Sequence, residues 1–286
     1  MRLFITGYSG QLGFDVAKEA EKRGYEYLGV SSKDLDITDS STVKEKISAY
    51  NPDIVIHCAA YTKVDDAEDN EILCRRVNVD GTANIAEACA ETDCPMIYIS
   101  TDYVFDGQGT EPWKPDCKDY APLNVYGQSK LDGEFEVRKF LKKYFIVRTA
   151  WVFGLNGSNF IKTMLKVGKT HPQVRVVDDQ IGTPTYTYDL ARLLVDMAET
   201  DKYGFYHATN DGGYISWYDF CCEIYRQAGL ETEVIPVSTL EYGLSKAKRP
   251  FNSRLDKSKL TENGFLPLPN WQNALSRYLT EIGEKV

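Results

Sequence analysis

An α/β fold built on a doubly wound parallel sheet, with a smaller mixed α/β lobe at its C-terminal end, is what this sequence predicts. Three observations carry that expectation. Short β-type runs alternate with helical patterns through the first half, a glycine-rich turn follows the first run, and the chain becomes loop-rich beyond residue 150. The first strand is expected over Leu3–Thr6, and a helix begins within the glycines that follow it, with Leu12, Val16 and Ala20 on one face. Tyr25–Val30, Asp53–Ala59, Met96–Ser100 and Phe145–Arg148 supply the later strands, and Asn84–Ala90 lies in an Ala-rich helix between them. Gly154, Gly157 and Pro172 then punctuate loops. Leu190, Leu193, Leu194 and Met197 mark one more amphipathic helix, and Phe205–Ala208 reads as a strand, so a segment over 174–208 is expected to return to the first domain. Ser216 with Asp219 three residues on is a capping signature for a helix carrying Trp217, Phe220 and Ile224. Residues 1–150 thus form one domain and 151–286 mainly a second lobe. With no repeat and no low-complexity linker, the two are expected to pack together.

Composition narrows the function. The 286 residues carry 42 acids against 33 bases, a net charge of -9, which argues against a nucleic-acid or membrane-surface binder because both need a positive field. The seven cysteines, at 58, 74, 89, 94, 117, 221 and 222, form an odd set without a CxxC pair, and the histidines at 57, 171 and 207 are scattered. Neither a disulfide framework nor a zinc site follows. No apolar run approaches the ~20 residues of a membrane span. A reducing, cytoplasmic setting is the reading.

The glycine turn carries chemistry. Gly7-Tyr8-Ser9-Gly10-Gln11-Leu12-Gly13 lies between a four-residue apolar strand and a helix, where glycines let the backbone approach a pyrophosphate that the helix N-terminus then meets. A Rossmann-type NAD(P) site is expected there, although the GxxGxxG spacing is one residue longer than GxGxxG. The second strand is followed by Ser31-Ser32-Lys33, whose hydroxyls and ammonium suit a 2′-phosphate and therefore NADPH, while Asp34 keeps NADH open. Farther on, Tyr126 and Lys130 stand four residues apart and share one face if the segment is helical. An ammonium beside a phenol favours the phenolate, drawing it from ~10 toward neutrality and making it a usable proton donor.

Several motifs together resemble the extended short-chain dehydrogenase/reductases. They are Gly7-x-x-Gly10-x-x-Gly13, Asp36-Ile37, Cys58-Ala59-Ala60-Tyr61, Asn78-x-x-Gly81-Thr82, Ser100-Thr101-Asp102 and Tyr126-x-x-x-Lys130. Within that family, Ser100-Thr101-Asp102-Tyr103-Val104-Phe105, Arg148-Thr149-Ala150-Trp151-Val152, Asp179-Gln180-x-Gly182-x-Pro184-Thr185 and Arg249-Pro250-x-Asn252-Ser253 are similar to the dTDP-4-dehydrorhamnose reductases. The resemblance implies a cofactor site at Gly7, Gly10, Gln11, Leu12, Gly13, Ser31, Asp36, Ile37, Ala59, Ala60 and Tyr61. It implies that Tyr126 is the general acid, that Lys130 binds the nicotinamide ribose, and that Thr101 bonds the substrate oxygen. It further implies a dTDP-sugar substrate, contacted by Val64, Asp65, Asp102, Tyr103 and Trp151. Related dehydratases carry an acid where this chain has Tyr103, and the missing carboxylate favours reduction over elimination. Other readings on the same scaffold are a different sugar-nucleotide reductase or epimerase, or a non-catalytic regulatory subunit like that of methionine adenosyltransferase.

Three features have bland alternatives. Asp65-Asp66-Ala67-Glu68-Asp69 crowds acids near a helix start, where they complement the dipole. Lys246, Lys248, Arg249 and Arg254 form either a solvated patch or, through Arg249, a diphosphate clamp. Some members of the family dimerise through magnesium held by three glutamates. The matching positions here are Asp15, Tyr188 and Glu281, and tyrosine is a poor magnesium ligand, so no metal and a monomer or weak homodimer are expected.

Overall fold

The computed structural model describes residues 1–285. Its central sheet holds β1 (Arg2–Thr6), β2 (Glu26–Val30), β3 (Ile54–His57), β4 (Met96–Thr101), β5 (Tyr144–Thr149) and β6 (Gly204–His207). They lie in the order β2-β1-β3-β4-β5-β6, every ladder parallel. β3 and the first half of β4 are buried throughout, as unbroken apolar runs demand when helices cover both faces.

Eight longer helices accompany the sheet: α1 (Gln11–Lys22), α2 (Ser40–Tyr50), α3 (Gly81–Glu91), α4 (Val125–Phe140), α5 (Phe160–Gly168), α6 (Thr187–Ala198), α7 (Trp217–Gln227) and α8 (Trp271–Glu281). On one face Leu12, Val16 and Ala20 of α1 meet Leu190, Leu193, Leu194 and Met197 of α6 over the sheet. Val43 and Ile47 of α2, Ile85 and Ala88 of α3 and Val137 of α4 cover the other. Among the described residues no helix is long and apolar enough to cross a membrane.

The segment returning to the sheet begins at α6. Gln173–Val177, which the expected segment over 174–208 takes in from its second residue on, pairs instead with Glu233–Val237 in the smaller lobe. That lobe packs Ile161 and Leu165 of α5 with Phe220 and Ile224 of α7 and with Trp271, Leu275 and Tyr278 of α8. Ser216 and Asp219 form the reciprocal capping box at the start of α7.

Topology decides where a ligand can sit. From β1 the chain crosses to β2 on one side, then back over to β3 on the other, so the loops after β1 and β3 part and leave a crevice at the carboxyl ends of the strands.

Candidate active site

A cavity of about 590 Å³ fills that crevice. Gly7, Gly10, Gln11, Leu12 and Gly13 line it from the first turn, Ser31 and Ile37 from beyond β2, and Ala59, Ala60 and Val64 from beyond β3. Thr101, Asp102 and Tyr103 follow β4, Tyr126 and Lys130 come from α4, and Trp151 follows β5.

The glycine turn fits a dinucleotide on steric grounds. Gly7 has φ +68, and a Cβ there would stand 2.7 Å from the Ala59 amide nitrogen. At Gly13 a Cβ would lie 2.7 Å from the Gly7 carbonyl carbon, whereas at Gly10 the sole near atom is the Gly7 oxygen, at 3.1 Å. Two glycines thus allow close packing and the third keeps the approach open. α1 starts at Gly10 with no side-chain cap, so its first amides are left for a ligand. Farther along, the Asp34 carboxylate accepts from the Ser31 amide at 2.9 Å and the Ser31 hydroxyl at 2.6 Å. It is folded back onto its own loop, while Ser31 and Ser32 face the cavity.

α4 is seated before its chemistry begins. Asn124 caps it by accepting from the Gly127 amide at 2.8 Å, and Glu68 accepts from the Val125 amide at 2.9 Å. Tyr126 and Lys130, one turn apart, then reach the cavity together. Lys130 is 3% exposed, with its ammonium 4.1 Å from the centre of the Tyr98 ring. Burial pushes it down to about 7, with Glu134, then Cys58 and Cys74, drawing it back. Burial also pushes the Tyr126 phenol well above its ordinary range, and hydrogen bonding from Thr101 lowers it only in part. The expected pull of Lys130 toward a phenolate is not among the influences on Tyr126, which desolvation of the phenol governs. The result is a phenol that keeps its proton at neutral pH.

Thr101 ends β4 and caps the Asp102–Val104 turn, accepting from the Tyr103 amide at 3.3 Å. Its hydroxyl lies 3.1 Å from Asp102 Oδ1. The Asp102 carboxyl is pushed up to about 6 by burial, which hydrogen bonds from Ser253 and Thr101 offset in part. Tyr103 meets Tyr126 edge-on, with ring centres 5.6 Å apart. Trp151 has φ +52, an uncommon conformation for a bulky residue, and stacks 3.7 Å from Trp217 of the smaller lobe.

Residues 1–283 match the family described as the RmlD substrate binding domain. The chain belongs to this family. It is 40% identical over 287 residues to the dTDP-4-dehydrorhamnose reductase of Aggregatibacter actinomycetemcomitans, covering 96% of this chain and 97% of that one. It is 39% identical over 280 residues to the spore coat polysaccharide biosynthesis protein SpsK of Bacillus subtilis strain 168, covering 98% and 97%. The crystal structure of dTDP-4-dehydrorhamnose reductase from Bacillus anthracis strain Ames in complex with NADP superposes with a TM-score of 0.94 at 42% identity, over 98% of this chain and 99% of that one.

Four residues expected at the site of this RmlD-family chain do not line the cavity. Asp36 is turned onto its own loop, accepting from the Thr38 amide at 2.9 Å and hydroxyl at 2.8 Å. Tyr61 is held through its backbone by Asn78 at 2.7 and 3.1 Å, and its hydroxyl donates to Asp66. Asp65 and Arg249 pair with each other at 2.7 Å, and Asp65 also accepts from the Ala247 amide at 2.9 Å. One guanidinium nitrogen of Arg249 is left buried with no partner. The acidic cluster is thus spent on named contacts, Asp69 with Lys246 included.

At the positions matched to the magnesium ligands, Asp15 accepts from the Thr187 hydroxyl, and Glu281 accepts from Tyr186 and pairs with Lys18 at 3.2 Å. Among the described residues no group of three His, Cys, Asp or Glu could hold a metal. Sequence reasoning passed over Thr149 and Ser158, which also line the cavity. The rule that ligands bind at strand carboxyl ends points to Thr149, the last residue of β5. Ser158 arrives from a loop with no local signal.

Proposed function

We propose that this chain reduces the C4 ketone of dTDP-4-dehydro-L-rhamnose to dTDP-L-rhamnose, with Tyr126 as proton donor. The observation that carries it is that Thr101, Tyr126 and Lys130 line one cavity together with an uncapped glycine turn. NADPH, when bound, supplies the hydride to the carbonyl carbon. Gly7, Gly10 and Gly13, with Gln11 and Leu12, hold its diphosphate. Ser31 and Ser32 line the cavity and accommodate a 2′-phosphate once it displaces the Asp34 carboxylate from the Ser31 amide and hydroxyl, and NADPH is the cofactor proposed, with NADH possible.

Charge develops on one oxygen in this reaction, and donors fixed at that atom do most to lower the barrier. The protonated Tyr126 phenol donates to it, Thr101 steadies it, and Lys130 holds the nicotinamide ribose. Val64, Asp102, Tyr103 and Trp151 contact the sugar. Arg249, which pairs with Asp65 outside the cavity lining, has to turn its guanidinium outward to meet the substrate diphosphate. Tyr103 places no second carboxylate beside Asp102, which suits reduction and not loss of water.

The test runs the reaction backwards with dTDP-L-rhamnose and either NADP⁺ or NAD⁺, following the reduced-nicotinamide absorbance. Growth of that band, faster with NADP⁺, is expected. Turnover of other nucleotide sugars with none of dTDP-L-rhamnose would overturn the proposal.

A further inference from the structure

We propose that Asn159 is a positioning residue for the cofactor: by holding the side-chain carbonyl oxygen of Gln11, it leaves the Nε2 donor as the end of that amide presented to the dinucleotide diphosphate. This rests on the cofactor site at the glycine turn proposed above.

Gln11 is the first residue of α1 and lines the cavity beside Gly10, Leu12 and Gly13. Its side chain is held from the smaller lobe. Gly154 and Gly157 lie along its stem, so that a Cβ at Gly154 would stand 3.2 Å from the Gln11 Cβ and one at Gly157 would stand 3.8 Å from its Cγ. Lys162 of α5 fixes that loop, its ammonium donating to the Leu155 carbonyl at 2.5 Å and to the Gly157 carbonyl at 2.8 Å. At the end of the loop Asn159 Nδ2 donates to Gln11 Oε1 at 3.0 Å.

A side-chain amide has a donor end and an acceptor end, and its partners decide which points where. Both ends of Asn159 meet backbone groups that allow one orientation. Oδ1 accepts from the Lys162 amide at 3.1 Å, capping α5, and Nδ2 donates to the Gly154 carbonyl at 2.9 Å. The Tyr278 hydroxyl, 3.0 Å from Nδ2, donates to the same carbonyl at 3.1 Å and so stands as an acceptor toward Asn159. Asn159 therefore faces Gln11 as a donor, and the reverse orientation of Gln11 would set two NH₂ groups against each other. With Oε1 engaged, the Gln11 amide offers a ligand protons and no lone pair. The diphosphate that meets the open amides of α1 is anionic, and a donor beside it attracts where a carbonyl oxygen would repel. Asn159 does not itself line the cavity, so it acts through Gln11.

The test is a double-mutant cycle read as the NADPH Kd by titration calorimetry, with no sugar nucleotide present. Asn159→Ser keeps a capping hydroxyl for α5 but is too short to reach Gln11, and it is expected to raise Kd about tenfold, the effect of one oriented hydrogen bond to a charged group. In Asn159→Asp the carboxylate still caps α5 but can only accept, so Gln11 turns its oxygen to the cavity and Kd rises further. In a Gln11→Met background Asn159→Ser adds nothing. NADH loses affinity by the same factor as NADPH, because the diphosphate is common to both. Equal effects of Asn159→Ser in the two backgrounds, which a merely structural role would give, overturn the proposal, and so does a loss confined to NADPH. Should the Asn159 variants fail to fold, ¹⁵N NMR of the unaltered protein decides. The Gln11 side-chain NH₂ signal, assigned by its absence in Gln11→Met, is expected to move downfield when NADPH binds, and a signal that stays in place overturns the proposal. Because binding is read without turnover, failure to oxidise dTDP-L-rhamnose counts against the reductase reading only, and additive substitutions count against Asn159 only.

Discussion

Binding of NADPH at pH 8 is expected to draw nearly one proton from solvent, and Lys130 is where it goes. In the free protein its ammonium is held down to about 7, mainly by burial, so about one-tenth of it is charged at pH 8. The ribose hydroxyls that accept from the ammonium, together with the dinucleotide's negative charge elsewhere in the cavity, favour the charged form and return it toward the ordinary ~10.4, where it is almost fully charged. The difference is an uptake of about 0.9 proton for each NADPH bound at pH 8. Linkage fixes the sign: affinity falls as pH rises through the free-protein value, by about 50-fold between pH 7 and pH 9. Titration calorimetry at pH 8 in phosphate and in Tris measures this directly, because the observed heat changes with buffer ionisation enthalpy by the number of protons exchanged. Lys130→Met is expected to bind more weakly and to show the same heat in both buffers. Equal heats for the unaltered protein would refute the assignment, as would an undiminished difference in Lys130→Met.

Four further outcomes follow from the same structure. Tyr126→Phe is expected to lower turnover by about 10²–10⁴ while NADPH affinity, read by calorimetry, stays nearly intact; near-normal turnover would remove the phenol from the reaction. Arg249→Ala is expected to raise the sugar-nucleotide KM with kcat little changed, and an unaltered KM would leave the Asp65 pair a structural contact. Glu134→Gln leaves the fully buried Arg148 without its carboxylate and is expected to cost about 3–5 kcal/mol in urea unfolding, most of it recovered in the double variant Glu134→Gln/Arg148→Met. Asp102 has a folded-state value raised from 3.8 to about 6, so its favourable contribution is complete below the unfolded value and lost as pH rises through the folded one; Asp102→Asn is therefore expected to be more stable than the parent at pH 8, by up to about 3 kcal/mol, and no more stable at pH 4.

What the sequence disclosed and what it withheld divide along one physical line. β1, β3 and β4 were legible because strands buried on both faces are continuous apolar runs, and Ser216 with Asp219 because a cap is local. Gln173–Val177 has the same local appearance as the sheet strands, but its partner Glu233–Val237 lies some sixty residues on, and only packing chooses between them. Gly182 stood inside a motif without a stated reason. A Cβ there would lie 2.9 Å from the Trp151 indole, so the glycine makes room for a ring from another segment. The acids at 65 to 69 read as a dipole complement, yet Asp65, Glu68 and Asp69 each meet a partner more than fifty residues away. Desolvation is withheld altogether: that Lys130 sits low and Tyr126 high follows from burial, which no spacing reveals.

The stretch from Tyr126 to Glu134 shows why chemistry and seating had to be written into the same nine residues. Tyr126, Lys130 and Glu134 fall on successive turns of one face. The first two reach the cavity. The third accepts from Ser100 at 2.6 Å and is gripped by Arg148 at 2.8 and 2.7 Å, which ties α4 to β4 and β5 directly behind Thr101. The glycines between them set the distance of approach: a Cβ at Gly127 would lie 3.1 Å from the Tyr103 Cβ, and one at Gly133 would lie 2.8 Å from the Asn78 carbonyl oxygen. Ser129, between them, accepts from Asn78 at 2.9 Å and donates to the Tyr126 carbonyl at 2.7 Å. A helix held this way cannot rotate or slide by one residue without driving a side chain into backbone or leaving Arg148 unpaired in the core, a loss of several kcal/mol. The proton donor is therefore placed against Thr101 by contacts on the far side of its own helix, and a change at Glu134 is felt at Tyr126 without touching it.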